Sequence, residues 1–205
     1  MQIAVGGVGQ VESDAHGITS RDGHRMAEGL VFLVLFCLTI PAANWLIGHV
    51  GTECTPNGPC VIPVAPGLYA PSGVLMVGAA LVLRDLVQRR FGAGIGICAI
   101  LMGAALSGLL AAPALVVASA TAFLISETAD FAVYTPLARK HFVAAVVVSG
   151  FFGLVVDSVV FLWLAFGSLE FLEGQIAGKA WMIVLSIPLI MWLRKRDEQL
   201  GLIAP

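Results

Sequence analysis

Five ionisable side chains of this sequence lie inside long apolar segments or at their ends: Arg84, Asp85, Glu127, Asp130 and Asp157. A charged side chain at the centre of a membrane-spanning helix costs about 2.5–3.5 kcal/mol on scales derived from insertion experiments. Five unpaired groups would cost on the order of 10 kcal/mol, which is comparable to the stability of a whole domain. We therefore expect these side chains to face one another, water or a ligand. Acids in such places accept hydrogen bonds or carry protons.

The composition indicates that the apolar segments are embedded in lipid. Hydrophobic residues make up 59% of the 205 residues and charged residues make up 12%, whereas charged residues are roughly 25% of a soluble domain. A soluble fold could not build a polar exterior from so few charges. The composition excludes a water-soluble enzyme, a nucleic-acid-binding protein and a disordered linker, and we expect no enzymatic activity.

Six apolar runs are separated by short polar segments. A helix needs about 20 residues to cross the hydrocarbon core of a bilayer, and most runs reach that length with their flanking turns. The sixth run is short and contains Pro188, so we expect a helix that is tilted, kinked or extended from Gly174. The sequence predicts an all-α membrane protein with six spans: Leu30–Ile47, Pro71–Leu83 continuing to Arg90, Ile95–Leu110, Ala114–Tyr134, Phe142–Phe166 and Ala180–Leu193.

The basic residues predict the orientation and the domain limits. Lys179 is the one Lys or Arg in the alternate connections 48–70, 111–113 and 167–179, and the others lie beside the opposite helix ends. Cytoplasmic loops are enriched in Lys and Arg, so we expect both termini to be cytoplasmic. Residues 1–28 are polar and lack periodicity, which predicts a disordered leader. Residues 29–197 form the membrane domain, and residues 198–205 form a short tail.

Cysteine and histidine residues predict few covalent or metal contacts. Cys54 and Cys60 flank a turn-forming segment in a connection predicted to lie outside, where a disulfide can form; they are either bonded or two free thiols. Cys37 and Cys98 lie within helices and are predicted to be small core residues. The four histidines are scattered and lack carboxylates at ligand spacing, so we expect no metal and no other cofactor.

Each polar candidate has both a structural and a functional interpretation. Arg84 and Asp85 are either the solvated end of a helix or part of a buried ion pair. Glu127 and Asp130 are three residues apart and share a helix face, and Asp130 is close enough to the cytoplasmic end to be an interfacial charge. Asp157 lies too deep for that role. Other candidates are an asparagine that could repair a kink after Pro41 and tryptophans that could belong to an interfacial belt: Asn44, Trp45, Trp163 and Trp181.

Three motifs in order resemble the queuosine-precursor transporters, also called the vitamin uptake transporter family. They are Pro66–Gly73, with the sequence PGLYAPSG; Arg84–Gly92, with RDLVQRRFG; and Ala118–Tyr134, with ASATAFLISETADFAVY. The resemblance implies a six-helix protein of a bacterial inner membrane, similar in helix count to the substrate-binding subunits of energy-coupling-factor transporters. It also implies import of 7-deazaguanine precursors of queuosine, such as 7-cyano-7-deazaguanine.

A guanine-like ligand would make specific demands on the polar residues. Its N1–H and 2-amino groups are adjacent donors that one carboxylate can accept, and its O6 needs a donor. We expect Glu127 to be the bidentate acceptor, with Asp157 as the alternative, and Asp130 or Asp85 to carry a coupling proton or to pair with Arg84. Further candidates could serve O6 or the nitrile, or stack on the ring: Asn44, Gln88 and Lys179 for the first role, Phe123 and Trp163 for the second.

Three classes of function remain open at this point. The first is a stand-alone secondary transporter whose partners are a small-molecule substrate and the bilayer, with a proton as the candidate coupling ion. The second is a substrate-capturing subunit of an ATP-driven transporter, which needs a separate ATPase because the chain contains no nucleotide-binding motif. The third is an intramembrane enzyme, which is disfavoured because the apolar runs contain neither a histidine cluster nor a Ser–His pair.

Overall fold

The computed structural model describes residues 8–54, 59–111 and 115–200, and for residues 8–22 it describes the backbone. Those parts of the chain contain six helices and a three-stranded sheet. In chain order the elements are α1 (Val8–His49), β1 (Glu53–Cys54), β2 (Cys60–Ala65), β3 (Leu68–Pro71), α2 (Val74–Phe91), α3 (Ala93–Leu110), α4 (Val116–Ala138), α5 (Phe142–Phe166) and α6 (Leu172–Leu200).

Five of these helices are long and apolar enough to cross a membrane, namely α1 from Gly23 onward, α3, α4, α5 and α6. Their outer faces carry exposed large hydrophobic side chains, such as Leu109 at 80% and Val117 at 73% exposure. In water such faces would favour aggregation, whereas in lipid they are the expected surface. The chain is therefore a multi-pass helical membrane protein.

Helix α2 is the central helix of the bundle. It contacts each of the other five helices. Leu81 and Leu86 pack in one hydrophobic cluster with α4, α5 and α6, and Ala80 and Val87 pack in a second cluster with α1 and α3. Its charged residues are therefore enclosed by neighbouring helices. That α2 is a sixth membrane span, and that both termini are cytoplasmic, remain predictions.

Helix α1 begins at Val8, within the segment 1–28 for which the sequence predicts a disordered leader. No proline interrupts the chain between Val8 and Pro41, so the helical hydrogen bonds can continue toward the N-terminus. Glu28 anchors this part of the helix through ion pairs with Arg90 at 2.9 Å and Arg196 at 2.6 Å. Residues 1–7 and 201–205 lie outside the described residues.

A small antiparallel sheet covers one end of the bundle, which we call the sheet end. Its strand order is β1-β2-β3, with a tight turn at Gly67 between β2 and β3. Cys54 and Cys60 are cross-strand partners and form a disulfide bond. Trp181 of α6 donates to the Val64 carbonyl at 2.9 Å. The sheet thus connects the segment between α1 and α2 to α6.

Candidate functional site

A cavity opens between the helices in the half of the bundle next to the sheet. Its lining includes Pro71 of β3, Val74 at the start of α2 and Leu115 just before α4, which fixes its position near the sheet end. The space between the protein atoms, counted together with its open mouth, measures about 740 Å³. The lining residues that can orient a ligand are Asn44, Ser119, Phe123, Asp157, Phe161 and Gln175.

Asp157 of α5 is the ionisable residue in the lining of this cavity. Its side chain is almost buried, and its Oδ2 accepts a hydrogen bond from Lys179 Nζ at 2.6 Å. Its Oδ1 accepts a weaker bond from the Ser126 hydroxyl at 3.3 Å. A carboxylate has about four lone-pair sites, so the oxygens of Asp157 retain acceptor capacity for a ligand.

Lys179 of α6 lies behind the cavity wall and is fully buried. Besides Asp157, its Nζ donates to the Ser158 hydroxyl at 2.8 Å and to Gln175 Oε1 at 2.6 Å. An ammonium group has three N–H donors, and these contacts use all of them. Lys179 therefore positions Asp157 and Gln175. Because all its N–H groups are used, it has no donor left for O6 of a ligand, which is the role that the sequence analysis proposed for it.

Asn44 and Phe123 are two of the predicted ligand-contacting residues, and both line the cavity. Asn44 Nδ2 donates to the Ile40 carbonyl at 3.0 Å, one turn back in α1 beside Pro41. Its Oδ1 has no partner within the described ranges. The Phe123 ring packs on Phe36 at a centroid distance of 6.1 Å. With Phe161, Phe123 supplies the flat apolar surfaces on which a planar ring can rest.

A second group of polar residues, the Arg84 cluster, consists of Arg84, Asp85, Glu127 and Asp130. Arg84 Nε donates to Glu127 Oε2 at 2.9 Å, and Nη2 donates to Asp130 Oδ1 at 2.6 Å. Nη1 lies 3.1 Å from Asp85 Oδ1. The four side chains are at most 2% exposed. Arg84 is therefore a buried ion-pair partner that joins α2 to α4, and snorkelling does not describe its position.

The Arg84 cluster contains more acid than base. One guanidinium faces three carboxyl groups, and the nearest additional donor is the Ser149 hydroxyl, 3.1 Å from Asp85 Oδ2. Within the described residues, Asp85 Oδ1 and Asp130 Oδ2 are buried without a hydrogen-bond partner. Uncompensated negative charge is costly in a lipid-embedded bundle. The cluster is thus chemically suited to hold a proton.

Four residues expected to contact the ligand do not line the cavity. Glu127 is bound to Arg84, as described, and Gln88 is bound to Arg84 at 2.8 Å and to Thr135 at 3.0 Å. Lys179 lies behind the wall. Trp163 is 62% exposed on the outer face of α5, because its position in the helix turns it toward lipid. The Glu127 carboxylate is therefore engaged by a protein cation where we expected a ligand.

Gln175 lines the cavity but was not predicted from the sequence, and the same holds for Ser119 and Phe161. Gln175 lies one helical turn before Lys179 in α6, a spacing that places the two side chains on one face. The available signal was this polar pair directly before the apolar run Ala180–Leu193 of α6. Within the described parts of the chain, no group of three or more His, Cys, Asp or Glu side chains could hold a metal ion.

A third group of charges, the Asp197 cluster, lies at the end of the bundle opposite the sheet. It consists of Asp197 and three arginines of α2 and α6, with Glu28 of α1 beside them. Asp197 accepts hydrogen bonds from Arg89 at 2.8 and 3.1 Å and from Arg90 at 2.9 and 3.0 Å. Arg196 bridges Glu28 and Asp197. The cluster ties α1, α2 and α6 together.

The chain is a multi-pass helical bundle with buried charged residues and a cavity between its helices. Residues 104–193 match the family model described as "Putative vitamin uptake transporter". The match confirms the resemblance to the vitamin uptake transporter family over that segment, which contains α4, α5 and most of α6. No curated protein matches the chain, and no solved structure matches it either.

Proposed function

We propose that this protein imports a queuosine precursor, 7-cyano-7-deazaguanine or a related 7-deazaguanine, into the bacterial cytoplasm. It acts as a stand-alone secondary transporter in the inner membrane, with the sheet end outside. The observation that carries the proposal is the Asp157 carboxylate, which lines a cavity with aromatic walls and is held in place by Lys179. The vitamin-uptake family match supports transport in preference to catalysis.

The recognition chemistry is centred on Asp157. A deazaguanine presents N1–H and the 2-amino group as neighbouring donors, and Asp157 has free lone pairs to accept them. Phe123 and Phe161 form the faces between which the fused ring lies. The support for Asp157 is stronger than that for Glu127, because the Glu127 carboxylate is occupied by Arg84.

The Arg84 cluster supplies the coupling site in this proposal. Its excess of carboxyl groups can take up one proton from the outside and release it to the cytoplasm, and Asp130 or Asp85 carries that proton. Asp157 of α5 accepts from Ser126 of α4, and Ser126 directly precedes Glu127 of the cluster. A change of protonation in the cluster can therefore alter the ligand site through α4.

The direct test is ligand binding to purified protein by calorimetry and thermal shift. We expect 7-cyano-7-deazaguanine to bind and Asp157→Asn to weaken it by roughly 10- to 100-fold, the loss typical of a hydrogen bond to a charged group. The control is Glu170→Gln, which neutralises an exposed acid in the connection before α6. Wild-type affinity in Asp157→Asn would refute the site.

Two further measurements complete the test. The first distinguishes a loss of ligand binding from a fold defect, and the second shows whether transport needs a partner subunit. Asp157→Glu keeps the negative charge beside Lys179 but displaces the acceptor, so we expect it to melt close to wild type and to bind weakly. Uptake by proteoliposomes that contain this protein alone tests stand-alone transport. Binding without any uptake there, restored by an ATPase module, would favour the substrate-capturing subunit.

A further inference from the structure

The orientation of the Gln175 amide follows from its contact with Lys179. An ammonium group can only donate hydrogen bonds, so the Gln175 atom 2.6 Å from Lys179 Nζ must be the carbonyl oxygen Oε1. The amide nitrogen Nε2 consequently points away from Lys179. Among the described residues nothing accepts its hydrogens, and Gln175 lines the cavity. The side chain therefore offers a donor of fixed identity to a ligand.

Asp157 and Gln175 are neighbours because they share one cation. Asp157 Oδ2 and Gln175 Oε1 each lie 2.6 Å from Lys179 Nζ, so these two oxygens are at most about 5 Å apart. Both residues line the same cavity. The cavity wall thus presents an acceptor from Asp157 beside a donor from Gln175, and a single buried lysine fixes both.

We propose that Gln175 is a specificity-determining residue that reads, together with Asp157, the N–H and C=O groups of a lactam edge. This inference rests on the proposed function and names the feature of its substrates that the site reads, which is the 6-oxo group beside N1–H. In a 6-oxo ring the N1–H donates to Asp157 and O6 accepts from Gln175 Nε2. In a 6-amino ring N1 is an acceptor and the exocyclic nitrogen is a donor, so both contacts become mismatched.

The expected discrimination is substantial because the site is built around hydrogen bonds. A buried polar group that loses its partner weakens binding by roughly 10- to 100-fold, and a site made to bond a polar group strongly rejects an analogue that lacks it. Lys179 prevents the site from adapting, since rotation of the Gln175 amide would place its NH₂ group against the ammonium. The order of donor and acceptor is therefore fixed before the ligand arrives.

The test compares matched pairs of ligands that carry either an oxo or an amino group beside the same ring nitrogen, at position 6 of a purine or deazapurine and at position 4 of a pyrimidine. We would measure Kd for 7-cyano-7-deazaguanine against its 6-amino counterpart, for hypoxanthine against adenine, and for uracil against cytosine. Wild type is expected to prefer the oxo member by at least 10-fold. Gln175→Glu replaces the donor by an acceptor and should remove or invert that preference, whereas Gln175→Met removes only the Gln175 contact and should reduce the preference without inverting it. The control is Gln199→Glu, the same change at an exposed position of α6.

The ratio of affinities separates recognition from a merely structural role, because a fold defect weakens both members of a pair equally. Retention of the oxo preference in Gln175→Glu, or equal binding of both members by wild type, overturns the inference. A different outcome separates the two proposals. If deazaguanines fail to bind, but wild type prefers hypoxanthine over adenine or uracil over cytosine and Gln175→Glu loses that preference, the proposed function fails and the inference stands. Binding of no compound overturns both.

Discussion

Lys179 and Arg84 are buried cations that organise acidic groups in different ways. Lys179 contacts one carboxylate and two neutral acceptors, so its charge is balanced and Asp157 keeps lone pairs that face the cavity. Arg84 contacts three carboxyl groups, which leaves an excess of acid around it. At the residue scale, the first arrangement suits a fixed ligand-binding acceptor and the second suits a site that gains and loses a proton.

Asp130→Asn tests the second arrangement. Asparagine keeps the shape of the side chain but cannot carry the proton, so we expect loss of pH-gradient-driven accumulation of deazaguanine in proteoliposomes. Exchange of labelled for unlabelled substrate needs no net proton movement and should persist. Ser149→Ala is the control, because it removes a hydrogen bond to Asp85 without changing the number of ionisable groups. Normal proton-driven accumulation in Asp130→Asn would remove Asp130 from coupling.

The sequence predicts how far along their helices these residues lie, but it does not predict which side chains they contact. Glu127 and Asp157 were both identified as membrane-embedded acids, because position along a helix follows from counting residues. The direction in which each side chain points depends on how α4 and α5 rotate against α2 and α6, which one sequence does not contain. That rotation places Glu127 against Arg84 and Asp157 against the cavity.

The N-terminal half of α6 is the element that positions the ligand site. A Cβ atom at Gly174 would overlap the Tyr69 carbonyl of β3, and one at Gly178 would lie 2.8 Å from a methyl group of Val74. These close approaches fix α6 against both β3 and α2. Gln175 and Lys179 directly follow the two glycines, so the packing of small residues sets the position of the polar pair.

Gly174→Ala should therefore disturb both stability and binding. The added methyl group forces α6 away from β3, and overpacking of this kind costs about 1–3 kcal/mol. We expect a lower melting temperature in detergent together with weaker deazaguanine binding. Gly48→Ala is the control, since a Cβ atom there meets nothing within 4 Å and alanine favours a helix by up to about 1 kcal/mol. Equal melting temperatures of Gly174→Ala and wild type would contradict this account of the packing.

Hydropathy predicted the helices well and the sheet not at all. The predicted fifth run and α5 share the bounds Phe142–Phe166, and α6 extends past Gly174 as expected. The sequence predicts the segment 48–70 only as a connection between the first two helices. In the structure Pro63 lies in β2, beside an irregularity of the β2–β3 pairing. The sheet forms because the turn at Gly67, the disulfide and the contacts with α6 fix the strands together.

At the scale of the whole molecule, polar groups form three layers along the bundle. The cavity with Asp157 lies nearest the sheet, the Arg84 cluster lies deeper, and the Asp197 cluster lies at the opposite end. The two clusters occupy the bundle between the cavity and that end, and their ion pairs join α2 to α4 and join α1, α2 and α6 to one another. We expect the clusters to close the path from the cavity to that end, so that transport would require the Asp197 cluster, which joins three helices, to separate.

Asp197→Asn should make the cavity more accessible from the end opposite the sheet. Asp197 is 2% exposed and accepts four charge-assisted hydrogen bonds from two arginines, which asparagine would weaken. With Cys37 and Cys98 replaced by alanine, Ser119→Cys in the cavity wall can be labelled with a membrane-impermeant thiol reagent in vesicles of either orientation. We expect labelling from the sheet side in the parent and a several-fold gain in labelling from the opposite side in Asp197→Asn.

Glu198→Gln is the matched control, because it removes the neighbouring acid from an exposed ion pair with Arg194, and such pairs contribute little to stability. Unchanged labelling in Asp197→Asn would show that this cluster does not close the path.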